Sequence, residues 1–418
     1  MTVPVLVLLG ATPWEGAFVA GLAHPASRVE VSRRCVDTAD LLAASATGAA
    51  AVAIVGADAP RIDSEVISRV IEAGVSVVAV TSRGDEAGFE RMASWGVDEV
   101  LTVDDRDLGA TVSATIAAVH RLTIQNSPSD PNSLPTARAR EKLTDRHVPV
   151  LAVWGPAGSP GRTALAVGLA DEVARAGFDT ILIDADTWAP SVALALGLAD
   201  DGAGLASACR RALSGSLDER SFRGILKPID EGLRVLTGIG RSGRWTEARR
   251  SAMLTVIEQA RSIADVVVID CGFSLESDEE LVFDTAAPRR NAATFVALEQ
   301  ATDIIVTGLA DPIGLVRLVN GLAELDELEP GGRRHVVANR VREVMLGRKP
   351  NEAVADVLHR HAGVEQVWCI PDDAITFDRA LREGCTLAEV NPDSPARRGI
   401  QSLARALMAD ESSNSLSA

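Results

Sequence analysis

The chain has 418 residues, of which 47% are hydrophobic and 24% are charged, and its formal net charge is −17 with a pI of about 4.9. This length predicts two or three globular domains, and the acidic balance argues against a broad nucleic-acid-binding face. No run of about 18 apolar residues is present, so we expect no transmembrane helix.

Residues 1–121 alternate short apolar runs with helical patterns. The first apolar run has no basic segment before it, so we interpret it as a strand and not as a signal peptide. The last helix of this part is expected from about Leu108 to Arg121. Strands are predicted at residues 3–9, 28–31, 51–55, 76–80 and 99–101. Five β-α units of this length predict a flavodoxin-like, doubly wound α/β domain.

Residues 122–147 break this alternation with prolines, serines and a charged run, and such a composition predicts a linker. Residues 148–410 return to an α/β pattern and are expected to form a second domain. Its long apolar runs are typical of parallel strands that are buried on both faces. Strands are predicted at residues 148–153, 180–183, 233–236, 266–269, 304–306, 335–338 and 366–370.

The end of the sequence is predicted to be a helix over about Ala396–Met408, followed by a disordered polar tail at residues 411–418. The five cysteines are scattered and form no Cys-x-x-Cys pair. They indicate reduced thiols in a cytoplasmic protein.

A glycine-rich turn joins the first strand of the second domain to a helix. This layout is typical of a phosphate-binding loop, in which backbone N–H groups face an anion. The loop departs from the common G-x-x-x-x-G-K-[ST] pattern, because Arg162 replaces the lysine and Gly155 lies one residue too far upstream. Pro160 also removes one N–H donor. The predicted phosphate-binding residues are Gly155, Gly158, Ser159, Gly161, Arg162, Thr163 and Ala164.

Three further strands end in polar residues that a nucleotide site could use. Asp184 and Asp186 follow one strand, and Asp270 ends another in the manner of a Walker B aspartate, which holds Mg²⁺ through water. Asn339 could pair with an adenine edge, and Pro371-Asp372 forms a later turn. Taken singly, helix capping, chance or an ordinary turn explains each position equally well. Their order along the chain matches that of a P-loop NTPase.

With these motifs, residues 148–408 resemble the MinD/ParA family of P-loop ATPases, which carry a deviant Walker A loop. The resemblance implies ATP and Mg²⁺ as cofactors and an ATP-bound homodimer. It implies that Asn339 and the Pro371-Asp372 turn lie on the adenine side of the nucleotide. It also implies that Asp184 and Asp186 form the catalytic pair, with Asp186 positioning the attacking water, and that Thr163 and Asp270 serve Mg²⁺. The family's signature lysine has no counterpart, since Pro156 or Ala157 falls there. We therefore expect weak ATP hydrolysis or none.

The first domain resembles a response-regulator receiver that has lost its phosphorylation site. Gly56 stands where the acceptor aspartate is expected, four residues before Pro60, and residues 9–12 carry no carboxylate. Asp58 is interpreted as a solvated loop residue. A pseudo-receiver before a MinD/ParA-like domain resembles the CpaE/TadZ branch, which localises Flp/Tad pilus assembly machinery to a cell pole.

This resemblance implies a cytoplasmic positioning protein that partners with polar, pilus or division machinery and is recruited to a pole or septum. A MinD-like septum-site role and a ParA-like partitioning role on DNA are the nearest alternatives, with DNA not favoured. A scaffold without nucleotide chemistry is the alternative of another class. The acidic, polar residues 409–418 predict no autonomous membrane binding.

Overall fold

The computed structural model describes residues 2–48, 50–60, 62–125, 148–198, 203–276 and 288–415. These residues divide into two compact units, which hold a five-stranded and an eight-stranded sheet. The predicted linker lies outside the described residues except for residues 122–125, which continue a helix. The exact domain boundaries stay predictions.

The first unit is a parallel sheet with helices between its strands. Its strands are β1 (Val3–Leu8), β2 (Val29–Arg34), β3 (Val52–Gly56), β4 (Ser76–Ser82) and β5 (Glu99–Val103). Its helices are α1 (Glu15–Leu22), α2 (Thr38–Ala46), α3 (Ser64–Glu72), α4 (Glu86–Ser94) and α5 (Leu108–Gln125), with a short 3₁₀ turn at Pro25–Ser27. The strand order is β2-β1-β3-β4-β5, one of the two common orders of doubly wound sheets.

Burial and capping explain why these segments fold as they do. Every residue of β3 is buried, as a central strand covered on both faces requires. Aspartate side chains cap three of the helices, because Asp37, Asp63 and Asp85 each accept a bond from a first-turn amide. All five strands predicted for this part are confirmed, with ends that differ by at most three residues.

The second unit is built on an eight-stranded sheet of order β13-β12-β11-β6-β10-β7-β9-β8. Its strands are β6 (Val150–Trp154), β7 (Thr180–Ala185), β8 (Lys227–Asp230), β9 (Leu233–Leu236), β10 (Val266–Cys271), β11 (Asp303–Leu309), β12 (Arg333–Val341) and β13 (Val367–Pro371). Strand β8 pairs antiparallel with β9, whereas the other pairs of neighbouring strands in this sheet are parallel. The seven predicted strands are confirmed, but β8 was not predicted.

Helices cover the sheet of the second unit. They are α6 (Arg162–Arg175), α7 (Val192–Ala195), α8 (Gly204–Leu213), α9 (Glu219–Ile225), α10 (Arg250–Ile263), α11 (Ala292–Gln300), α12 (Pro312–Glu327), α13 (Glu343–Leu346), α14 (Pro350–Ala362), α15 (Ala374–Glu383), α16 (Leu387–Val390) and α17 (Pro395–Ser415), with a 3₁₀ segment at Ser242–Glu247. Helices α6 and α17 pack together on the main core, where Leu169, Val173, Leu403 and Leu407 are buried.

Helix α17 extends to Ser415, so it continues past Met408, where the sequence pattern ended it, and into the predicted tail. Residues 409–415 contain no glycine or proline that would stop a helix, and residues 416–418 lie outside the described part. No described helix is both long and apolar enough to cross a membrane.

The sheet register places the polar strand ends side by side. Strand β10 lies between β6 and β7, and Asp270 pairs with Val153 on one side and with Asp184 on the other. The glycine-rich loop leaves β6 at this same carboxyl edge. Ligands of open α/β sheets bind at this edge, so the fold gathers the predicted site residues there.

Candidate functional site

The glycine-rich loop leads directly into the amino end of helix α6. Gly158 and Gly161 have φ angles of 77° and 96°, a conformation that residues with a Cβ seldom adopt. Gly161 is the N-cap of α6, and no side chain caps the helix. The first-turn amides, which include those of Thr163 and Ala164, have no intrahelical acceptor. A helix start of this kind is suited to bind an anion.

The loop has fewer amide donors than its length suggests. The N–H of Ser159 donates to the carbonyl of Pro156 at 3.1 Å, and Pro160 has no N–H. Neither residue therefore offers an uncommitted N–H to a phosphate, whereas the first-turn amides of α6 do.

Neighbouring strands hold the loop in place. The amide of Asn339, at the end of β12, donates to the carbonyl of Pro160 at 3.0 Å, and its oxygen accepts the N–H of Arg340. A Cβ on Gly155 would collide with the carbonyl of Thr307 in β11. Asn339 thus braces the loop, and its contact with an adenine stays a prediction.

The predicted Pro371 and Asp372 lie farther along the sheet, at the end of β13. This strand is separated from β6 by β12 and β11. The N–H of Asp372 donates to the carbonyl of Val341 at 3.2 Å. Their role beside an adenine also stays a prediction.

Thr163 and the carboxylates form a compact cluster under the loop. The Thr163 hydroxyl donates to Oδ2 of Asp270 at 2.7 Å and lies 3.1 Å from the hydroxyl of Ser191. Oδ1 of Asp270 is buried and has no hydrogen-bond partner among the described residues. Asp184 accepts the N–H groups of Asp186 at 3.3 Å and Val192 at 3.0 Å. Ser191 was not singled out from the sequence.

Burial changes the ionisation of two of these carboxyls. Desolvation raises the pKa of Asp184 well above its usual value, and the charges of Asp270 and Asp186 raise it further. Desolvation likewise raises the pKa of Asp270 to about 7, although the hydroxyl of Thr163 opposes the shift. Hydroxyl and carboxylate oxygens are the ligands that Mg²⁺ prefers, and a divalent cation would offset the repulsion. The residues therefore fit a magnesium ion.

Arg162 occupies the space between the loop and the carboxylates. Its guanidinium donates to the carbonyl of Gly155 at 3.1 Å and forms an ion pair with Oδ2 of Asp186 at 3.3 Å. Oδ1 of Asp186 accepts the N–H groups of Trp188 and Ala189 at 2.8 and 3.0 Å. Both carboxylate oxygens of Asp186 are thus engaged.

An aromatic layer that sequence reasoning missed continues from this cluster. The rings of Trp188 and Phe273 have centroids 5.4 Å apart, and the guanidinium of Arg290 lies 3.8 Å from the centroid of Trp188. Trp188 also donates its Nε1–H to Asn291 at 3.0 Å. Because Trp188 follows Asp186 and Phe273 follows β10, the layer ties together the loops that leave β7 and β10.

In the first unit, the carboxyl ends of β1 and β3 lie under the exposed Asp58. A Cβ on Gly10 would lie 2.6 Å from Cγ of Asp58, and a Cβ on Gly56 would lie 2.8 Å from its Oδ1. The two glycines make room for this carboxylate. The β1–α1 turn supplies no second acid, because residues 9–12 carry none.

No protein-family model and no curated protein matches the sequence. Solved structures do match. A ParA family ATPase from Chlorobium tepidum is 17% identical with a TM-score of 0.52, and the match covers 62% of this chain and 97% of that one. The cell division ATPase MinD of Pyrococcus furiosus is 18% identical with a TM-score of 0.48, over 63% of this chain and 99% of that one. The likeness to the ParA structure shows that the matched part of the chain has the same mostly parallel α/β fold.

Proposed function

We propose that the second unit binds ATP with Mg²⁺ and acts as a nucleotide-dependent positioning protein of the MinD/ParA kind. One observation carries the proposal: the Thr163 hydroxyl and the buried Asp270 carboxylate meet at 2.7 Å beside an uncapped helix start. A hydroxyl paired with a carboxylate in this place is the magnesium-binding arrangement of P-loop NTPases. The ParA-type fold supports the same conclusion.

Each residue of the site has a definite task in this proposal. Thr163 and Asp270 hold Mg²⁺, while the first-turn amides of α6 and the guanidinium of Arg162 bind phosphate oxygens. ATP supplies a terminal phosphate whose presence distinguishes two states of the protein. Asp186 is already engaged by Arg162, Trp188 and Ala189, so it is poorly placed to orient a water. We therefore propose slow hydrolysis or none.

The finer part of the proposal is a role like that of CpaE/TadZ proteins, in which the nucleotide state controls homodimerisation and partner recruitment at a cell pole. The first unit then acts as a flavodoxin-like pseudo-receiver that docks a partner. Its strand order and its lone carboxylate at Asp58 support this assignment. The sequence motifs alone also suit a MinD-like role at the septum.

A partitioning role on DNA has weaker support. Arg210 and Arg244 both pair with Glu247, and Arg250 pairs with Glu299. The two glutamates offset part of the local positive charge that a phosphate backbone would need.

A scaffold without nucleotide chemistry is favoured by a different observation. The guanidinium of Arg162 bonds to the Gly155 carbonyl and to Asp186, so the loop is stabilised from within. In that case the ion pair replaces the ligand, and adding ATP would change nothing.

Calorimetric titration of the full chain with ATP·Mg²⁺ decides between these functions. We expect saturable binding that weakens about tenfold or more in Thr163→Ala, because a magnesium ligand is lost, and that is largely retained in Thr163→Ser. Ser402→Ala is the control, since it removes an exposed hydroxyl on α17 that takes no part in the cluster. No binding by the native chain at millimolar ATP would leave the scaffold function.

Light scattering then tests the switch. The mass of the native protein should double when ATP·Mg²⁺ is added, whereas the mass of Thr163→Ala should stay that of a monomer under the same conditions. A native chain that binds ATP and remains a monomer would refute nucleotide-controlled dimerisation while leaving the binding site intact.

A further inference from the structure

Helix α12 follows the phosphate-binding loop along its outer side. A Cβ on Gly321 would lie 2.9 Å from Cγ of Pro156, so the helix packs directly against the loop. Arg317 lies one turn before Gly321 in α12, and a Cβ on Gly158 of the loop would lie 3.0 Å from its Cζ. Residues four apart share one face of a helix, so the same face of α12 meets the loop at two points.

The side chain of Arg317 is available to bind a ligand at this position. This side chain is exposed, and it forms no ion pair or hydrogen bond with the part of the chain that the structure describes. Its guanidinium rests over Gly158, where any side chain would collide with it. A glycine with a φ angle of 77° thus provides both the turn and the space for the arginine.

A triphosphate bound at the loop would require a second positively charged side chain beside it. Arg162 is the cation within the loop, and it is partly neutralised by Asp186. The three lysines of the chain, Lys142, Lys227 and Lys349, are remote from the loop in sequence. The triphosphate of ATP carries several negative charges, which arginine binds well through its planar fork of donors.

We propose that Arg317 binds the polyphosphate chain of the nucleotide and makes the site selective for triphosphates over monophosphates. This inference rests on the proposed nucleotide site. The exposed side chain turns its guanidinium from Gly158 towards the phosphates held at the start of α6, so a helix outside the loop supplies the missing charge.

Titration of the full-length protein with tripolyphosphate, ATP and AMP, each with Mg²⁺ at fixed ionic strength, tests this role. In Arg317→Gln we expect about tenfold or more weaker binding of tripolyphosphate and ATP, with AMP affinity unchanged. Arg317→Lys should restore part of the loss. Arg360→Gln is the matched control, because it removes the same charge from an exposed position at the far end of α14.

The outcomes separate the two ideas. If the native protein binds none of the three probes, the nucleotide site itself fails and Arg317 has no such role. If the native protein binds ATP and Arg317→Gln binds it as tightly as Arg360→Gln does, the nucleotide site stands and the role of Arg317 is overturned. Equal weakening for AMP and ATP would also overturn the selectivity. A melting temperature within about 2 °C of the native value would show that the variant is folded.

Discussion

Replacing Asp270 with asparagine should change how the stability of the protein depends on pH. Desolvation raises the pKa of Asp270 from 3.8 to about 7. The folded state therefore keeps a proton that the unfolded chain loses above its own pKa of about 4. The resulting stabilisation is fully present below about pH 4 and is lost as the pH rises through about 7. Asparagine does not ionise, so the variant lacks this contribution.

The magnitude follows from the width of that window. Each pKa unit corresponds to about 1.4 kcal/mol, so the whole window amounts to about 4 kcal/mol. Between pH 5 and 8 the native chain should lose about 3 kcal/mol more than Asp270→Asn does. The weakened bond from Thr163 adds an offset that is the same at both pH values. Removal of the Asp270 charge also lowers the raised pKa of Asp184. This change reduces the pH dependence of stability in the variant in the same direction.

Urea unfolding at pH 5 and pH 8, followed by tryptophan fluorescence in a buffer with a chelator, measures the difference. Asp356→Asn is the control, since that aspartate is exposed on α14 and loses the same charge. Its pH profile should run parallel to the native one. Parallel profiles for the native chain and Asp270→Asn would refute the reasoning, because Asp270 would then ionise equally in both states.

Three further predictions concern other parts of the chain. Arg397→Gln should destabilise the second unit by about 3 kcal/mol, because the buried Glu172 loses its ion-pair partner and keeps only the amide bond from Gln401, whereas Arg398→Gln on the exposed side of α17 should cost less than about 0.5 kcal/mol in urea unfolding. Asp58 should remain unmodified by acetyl phosphate or beryllofluoride in intact-mass and NMR measurements, since residues 9–12, which would supply the second acid of a magnesium site, carry no carboxylate; stoichiometric modification would contradict the pseudo-receiver. Liposomes of anionic lipid should not pellet the protein at low salt, because residues 409–418 carry acidic rather than basic charge.

Much of the fold follows from short-range patterns in the sequence. Buried parallel strands appear as continuous apolar runs, and each such run of the second unit became a strand. Strand β8 was not predicted because it is a short edge strand with Pro228 and alternating exposed residues, so its sequence contains no apolar run. The end of α17 was misplaced because polarity does not stop a helix when its residues are compatible with one.

The site was predictable to the extent that strand ends determine it. Because β6, β10 and β7 are neighbours, Asp184 and Asp270 at their ends must meet, and the loop that leaves β6 brings Thr163 to Asp270. Contacts between side chains that are distant in sequence could not be predicted in this way, because no local sequence pattern indicates them. The position of Arg317 over the loop depends on how α12 packs, and the stacking of Arg290 on Trp188 joins segments about a hundred residues apart.

Arginine at position 162 changes what the loop can do, beyond replacing one positive charge with another. Its planar fork reaches the Gly155 carbonyl and Asp186 at once, which a compact ammonium group would not match in geometry. A phosphate that recruits the guanidinium must therefore compete with Oδ2 of Asp186. Even without that ion pair, Oδ1 of Asp186 stays bonded to the N–H groups of Trp188 and Ala189. The exchange would therefore lower the affinity of the loop for phosphate without freeing Asp186 to orient a water, which agrees with the proposed slow hydrolysis.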